Sequence, residues 1–118
     1  MQNVPTTALE LARATVQSAI DAGRAAALAQ WEKDGRQDCG HCGGTMLQLD
    51  SRSFIAKAAL ELKAAYKSGS ETWAALDLPE GVRTQHAIVY QKQKHAFADS
   101  LRRQGFGGVI RKMWDYVD

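Results

Sequence analysis

The chain has 118 residues, of which 45% are hydrophobic and 24% are charged, and its formal net charge is +2. This length and composition predict one globular domain spanning residues 1–118 and exclude an extended disordered chain. No apolar run approaches the ~20 residues that cross a bilayer and no signal segment is present, so we expect a cytoplasmic protein without membrane contacts.

Charge is distributed unevenly along the chain. Residues 1–80 hold 8 Lys+Arg and 10 Asp+Glu, whereas residues 81–118 hold 7 Lys+Arg and 3 Asp+Glu. The basic surplus of the C-terminal third is typical of a solvated helix face, and the alternative is a weak phosphate-facing surface.

A long helix is predicted from about Thr7 to about Lys33. Thr7 and Glu10 have the spacing of a capping box, in which each side chain bonds a free backbone N–H group. Leucine, valine, isoleucine and tryptophan recur at helical spacing, with small residues such as Gly23 between them. Because small residues allow another backbone to approach closely, this helix is a candidate surface for a homodimer.

A loop, a strand and a second helix are predicted to follow. The loop contains Cys39 and Cys42, and the alternating stretch Thr45–Leu49 is typical of a strand. A helix should begin after the capping oxygen of Ser53, carry Tyr66 on its apolar face and end near Gly69.

The rest of the chain is predicted to form a strand, a helix and a last strand. These elements should cover Thr72–Leu78, Gln85–Gln104 and Val109–Trp114, with turns at Pro79 and Gly105. The order αβαβαβ indicates an α+β fold: a three-stranded sheet with helices packed on one face and a long N-terminal helix.

Cys39, His41 and Cys42 form a Cys-Gly-His-Cys motif with three interpretations. The residue sequence of the motif matches the active site of disulfide isomerases. In those enzymes the first cysteine follows a strand and begins a helix, whereas in this chain a strand is predicted after the motif. A closed zinc site needs four ligands, which His86 or His95 could complete within the chain, or a second chain could complete across a dimer. The remaining interpretation, a packed turn without chemistry, is the one that the position before a strand favours.

No motif for nucleophilic catalysis or cofactor binding is present. The chain lacks a Gly-x-Ser-x-Gly elbow, and its carboxylates do not form a recognisable acid–base pair. The glycine-rich stretch 105–108 comes after a helix and before a strand, the reverse of a phosphate loop. We therefore predict a protein that is not an enzyme and uses no cofactor.

Two kinds of residue are candidates for partner binding. Tryptophans supply apolar or stacking contacts, and basic side chains near the C-terminus supply contacts to phosphate. The candidates are Trp31, Trp73, Lys92, Arg102, Arg103, Arg111 and Lys112.

Several stretches resemble a family of small proteins encoded by tailed bacteriophages and prophages. They are the Ala-rich helix with residues 21–27 and Trp31, the turn Asp38-Cys39-Gly40, the segment 51–58, and the Ala-Phe-Ala helix within residues 95–106. The resemblance implies a bacterial-host cytoplasmic setting, and it assigns no catalytic residue. In this chain the second cysteine and two glycines replace the aromatic residue that usually follows the family's Cys-Gly turn.

The leading hypothesis is a non-enzymatic phage protein that binds and modulates a host or phage macromolecule, for example as an inhibitor of a defence system or a host enzyme. The alternative is a nucleic-acid-binding accessory protein that uses the basic C-terminal third. A third possibility is a thiol redox or zinc protein that uses Cys39 and Cys42.

Overall fold

The computed structural model describes residues 7–38 and 40–118. Within them, three helices and four strands follow the order αβαββαβ, so the α+β class and the long first helix are confirmed. The elements are α1 Ala8–Lys33, β1 Gly43–Leu49, α2 Phe54–Glu61, β2 Ala65–Ser68, β3 Glu71–Ala74, α3 Ala87–Arg103, a 3₁₀ turn Gly107–Val109 and β4 Ile110–Val117.

The start of α1 has the capping box that the sequence predicts. The hydroxyl of Thr7 accepts a hydrogen bond from the Glu10 N–H group at 3.1 Å, and the Thr7 N–H group donates to the Glu10 carboxylate at 3.3 Å. Two of the free N–H groups of the first turn are thereby bonded.

The small-residue side of α1 is used within the chain. Ala19 is fully buried, and a Cβ atom at Gly23 would lie 2.9 Å from the Gln93 carbonyl oxygen of α3. The expectation of a homodimer through this stripe is therefore corrected, because α3 already occupies it. Trp31 is likewise a core residue and not a docking surface, since only 8% of it is exposed where it packs with Val82 and Val89.

The second helix is shorter than predicted. It ends at Glu61 and not near Gly69, because Lys63 adopts a left-handed φ of 58° that a helix cannot continue. Tyr66, predicted on the helix face, lies instead in β2.

The sheet has four antiparallel strands in the order β2-β3-β1-β4, one more than the three predicted. The additional strand is β2, which forms a hairpin with β3 across Gly69 and Ser70. The predicted strand Thr72–Leu78 ends earlier, at Ala74, and the last strand extends beyond Trp114 to Val117.

The helices cover one side of this sheet. Leu47 and Leu49 of β1 are fully buried in a core that also contains Val16, Ile55 and Phe97 from the three helices. α3 packs on β1, and α1 packs along α3 and across α2. In the part of the chain that the structure describes, no helix has both the length and the apolar character needed to cross a membrane.

Candidate functional site

The side of the sheet that faces away from the helices carries an exposed surface, which we call the open face. Directly opposed residues of antiparallel strands point to the same side. Trp114 opposes Met46, whereas Trp73 opposes both Gln48 and Tyr66, and Lys112 opposes Gln48. The open face therefore comprises Met46, Gln48, Tyr66, Trp73, Lys112 and Trp114.

Aromatic rings form a row across the open face. The rings of Trp73 and Trp114 meet edge to face across β1, with centroids 5.8 Å apart and planes at 89°. Tyr66 lies beside Trp73 on β2 and is 47% exposed, and Trp114 is 46% exposed. Three large rings on three strands thus remain available to a partner.

A polar group is enclosed in the middle of the same surface. The side-chain oxygen of Gln48 is buried and has no hydrogen-bond partner among the described residues. A buried oxygen without a donor costs roughly 1–3 kcal/mol.

Basic residues surround one end of the open face. Arg111 donates to the Asp50 carboxylate at 3.0 Å, and Arg52 lies 3.6 Å from the same carboxylate. The backbone N–H of Arg52, followed by the charge and side-chain bond of Arg111, lowers the pKa of Asp50. Arg52, Arg111 and Lys112 line this end of the open face together with the carboxylates of Asp50 and Glu71, which leaves a formal charge of +1.

The other predicted basic residues belong to a different surface. Lys92, Arg102 and Arg103 are exposed on α3, in the helical layer, and Arg102 donates to Asp99 at 2.8 Å. The C-terminal third therefore does not form one basic patch, because its cations are divided between the two sides of the molecule.

A cleft through the sheet holds a cation that sequence reasoning did not select. β1 and β3 pair at two positions and then diverge, which leaves a cavity of about 370 Å³ between residues 43–45 and 75–77. From α3, Lys94 reaches into this gap and donates to the Thr45 carbonyl at 2.7 Å. Burial lowers the pKa of Lys94. No motif marks Lys94, since only the divergence of the two strands creates the cleft.

The cysteine loop packs on the start of α3. The Asp38 carboxylate accepts bonds from the Thr84 hydroxyl and the Gln85 N–H group, both at 2.9 Å, while Asp34 and His86 meet at 2.9 Å with their side chains 12% exposed. The bond from His86 lowers the pKa of Asp34. Both contacts clamp the loop onto α3.

The metal and redox candidates lie in or beside this loop. The thiol of Cys42 is exposed and donates to the Gln85 side-chain oxygen at 3.1 Å, and His41 is also exposed. Cys39 lies outside the described residues, so any pairing of the two cysteines does too. Among residues 7–38 and 40–118, no three His, Cys, Asp or Glu side chains are arranged to hold a metal ion.

Comparison with known proteins gave no match among family models, curated proteins or solved structures. The geometry of the open face is therefore the basis for the functional proposal.

Proposed function

We propose that the protein is a non-enzymatic module that binds single-stranded nucleic acid on the open face of its sheet. The row formed by Tyr66, Trp73 and Trp114 is the observation that carries this proposal. This is the alternative that the sequence suggested, with some of the same candidates. Trp73, Arg111 and Lys112 lie on or beside the open face, whereas Lys92, Arg102 and Arg103 lie on α3.

The spacing of the row suits unpaired bases. Neighbouring strands of a sheet lie about 4.8 Å apart, and the rings lie on β2, on β3 and, beyond β1, on β4, at intervals that a flexible strand of nucleotides can follow. Each base stacked on an aromatic side chain contributes roughly 1–3 kcal/mol, with little dependence on sequence. Lys112, Arg111 and Arg52 lie where the phosphates of such a strand would need cations.

A titration with labelled oligothymidylate tests the proposal. We expect quenching of tryptophan fluorescence at low salt, and an affinity that falls steeply between about 50 and about 200 mM salt. Trp114→Ala should weaken binding by about 5- to 100-fold through the loss of one stacking platform.

Phe54→Ala is the matched control, because Phe54 is an exposed aromatic residue on α2, 48% exposed and away from the open face. We expect it to bind as the wild type does. Absence of quenching at the lowest salt, or equal losses in the two variants, would contradict the proposal.

A protein partner from the bacterial host is the second candidate. The exposed rings of Tyr66 and Trp114 favour it, because aromatic side chains are enriched at protein–protein interfaces. With the same two variants as baits in host lysate, a partner lost by Trp114→Ala and kept by Phe54→Ala would support this candidate. Equal recovery by both baits would count against it.

A further inference from the structure

β4 is an edge strand, and no strand among the described residues covers its outer side. It is the last strand of the sheet, and it pairs with β1 alone among the described strands. The Asp118 N–H group donates to the Cys42 carbonyl at 2.8 Å. Since bonding alternates along an antiparallel pair, residues 114 and 116 bond to β1, and Met113, Asp115 and Val117 direct their backbone groups away from the sheet.

Such an edge readily accepts another strand. Native edges are usually short, covered or twisted away, because a free row of N–H and C=O groups recruits other chains. β4 has eight residues, and Trp114, Tyr116 and Val117 are 46%, 40% and 60% exposed. A bulge beside Arg111 protects only the beginning of this strand.

We propose that a second copy of the chain pairs antiparallel with β4 about a two-fold axis perpendicular to the sheet. The two sheets then continue as one, with β4 against β4. Because opposed residues of antiparallel strands share a side, both open faces lie on the same side of the dimer. Two aromatic rows thereby become neighbours on one surface.

Charge selects the register of this pairing. The residue on the two-fold axis lies opposite the same residue of the partner. With Lys112 on the axis two lysines oppose each other, and with Asp115 on the axis two aspartates do. Like charges in opposed positions are destabilising, which disfavours both registers. Centring on Trp114 leaves Asp115 opposite the partner's Met113, without a cation. Centring on Met113 sets Lys112 opposite the partner's Trp114 in a cation–π contact that occurs twice. It also brings Arg111, at the bulge, toward the partner's Asp115, so that opposite charges face each other twice, in addition to the partners that both side chains have within their own chain.

Molar mass by light scattering tests the inference. The chain has a mass of 12.9 kDa, and we expect twice that mass at about 100 μM chain, a concentration that populates a dimer of micromolar Kd. A wild-type mass of one chain at this concentration would overturn the proposal, whatever the result with nucleic acid.

Proline variants locate the interface. Met113→Pro removes an N–H group that points away from β1, so we expect a monomer with an unchanged circular dichroism spectrum. Lys67→Pro makes the same change on β2, the other edge strand, and should remain dimeric. A monomeric Lys67→Pro beside a dimeric Met113→Pro would refute pairing at β4.

Charge reversal tests the register and does not depend on the proline variants folding. Arg111→Asp and Asp115→Arg should each shift the mass toward one chain, because each sets like charges opposite. The double variant should recover the dimer, although it still lacks the bond from Arg111 to Asp50 and the bonds that Asp115 accepts from Thr45 and His95. A double variant as monomeric as the single ones would exclude this register.

Discussion

The ammonium group of Lys94 lies in the gap between β1 and β3, where it bonds a carbonyl that no strand reaches. In β1 the backbone of Thr45 faces the β3 side, and β3 has already diverged at that point. Lys94 therefore supplies the hydrogen bond that the Thr45 carbonyl does not receive from β3. Burying the ammonium group for this bond costs free energy, because the cation leaves water.

This burial predicts a dependence of stability on pH. Burial lowers the folded-state pKa of Lys94, while the unfolded chain keeps the ordinary value of 10.5. Between the two values the unfolded state binds more protons, so stability rises with pH through that window. The wild type should therefore gain stability relative to Lys94→Met as the pH rises toward 10.5. Urea unfolding at several pH values measures this difference, and parallel profiles would contradict it.

Among the elements, the end of α2 depends on one residue in an unusual conformation. Lys63 has a φ of 58°, which costs a side chain with a Cβ atom roughly 1–2 kcal/mol and costs glycine almost nothing. The left-handed residue ends the helix and turns the chain into β2. Its position fixes where Tyr66 enters the open face.

Lys63→Gly should consequently stabilise the protein. Relief of the left-handed strain outweighs the greater entropy of glycine in the unfolded chain, for a net gain of about 0.5–1 kcal/mol. Lys57→Gly, an exposed position within α2, should instead destabilise by about 1 kcal/mol. Thermal unfolding compares the two, and a loss of stability in both variants would show that Lys63 is not strained.

The sequence predicts the elements that carry strong local signals. Thr7 and Glu10 locate the start of α1, and Gly105 follows the end of α3, because caps act over three or four residues. The division of α2 from β2 is not predictable in this way. Alanines around Lys63 favour a helix, and only pairing with β3 makes Tyr66 a strand residue.

The arrangement of the open face is also not predictable from local patterns. The sequence alone makes Trp73 a candidate, but its contact with Trp114 depends on β1 lying between β3 and β4, an order that no local pattern encodes. The sequence does contain a signal for β2, the strand that it did not predict. Gly69 and Ser70 have the residue types of a two-residue hairpin turn, between residues 65–68 and residues 71–74. This turn sets Tyr66 beside Trp73.

Across the whole molecule, carboxylates connect segments that are distant in sequence. Asp38 links the cysteine loop to the start of α3, and the Gln85 N–H group, followed by the Thr84 hydroxyl, lowers its pKa. Asp115 links β4 to β1 and α3. Burial alone would raise the pKa of Asp115, but the bonds from Thr45 and His95 lower it overall.

Acid should therefore lower the stability that the bonds of Asp38 and Asp115 contribute, over the same range of pH. A lowered folded-state pKa contributes stability that is complete above the ordinary value of 3.8 and is lost as pH falls through the folded-state values. The melting temperature should fall most steeply below that pH. Asp38→Asn should flatten this fall, whereas Glu71→Gln, an exposed carboxylate on β3, should reproduce the wild-type profile. Equal acid profiles for Asp38→Asn and the wild type would contradict the role of Asp38.

Only two positions pair β1 with β3 among the described residues, so the sheet has a weakly paired boundary, or seam, between these strands. On one side, β1 and β4 are joined along seven positions; on the other, the β2–β3 hairpin is attached through Gln48 and Leu49. The contact of Trp73 with Trp114 crosses this seam. A ligand stacked on both rings would fasten the hairpin to the rest of the sheet, so occupancy of the open face and resistance of the hairpin to local opening would rise together.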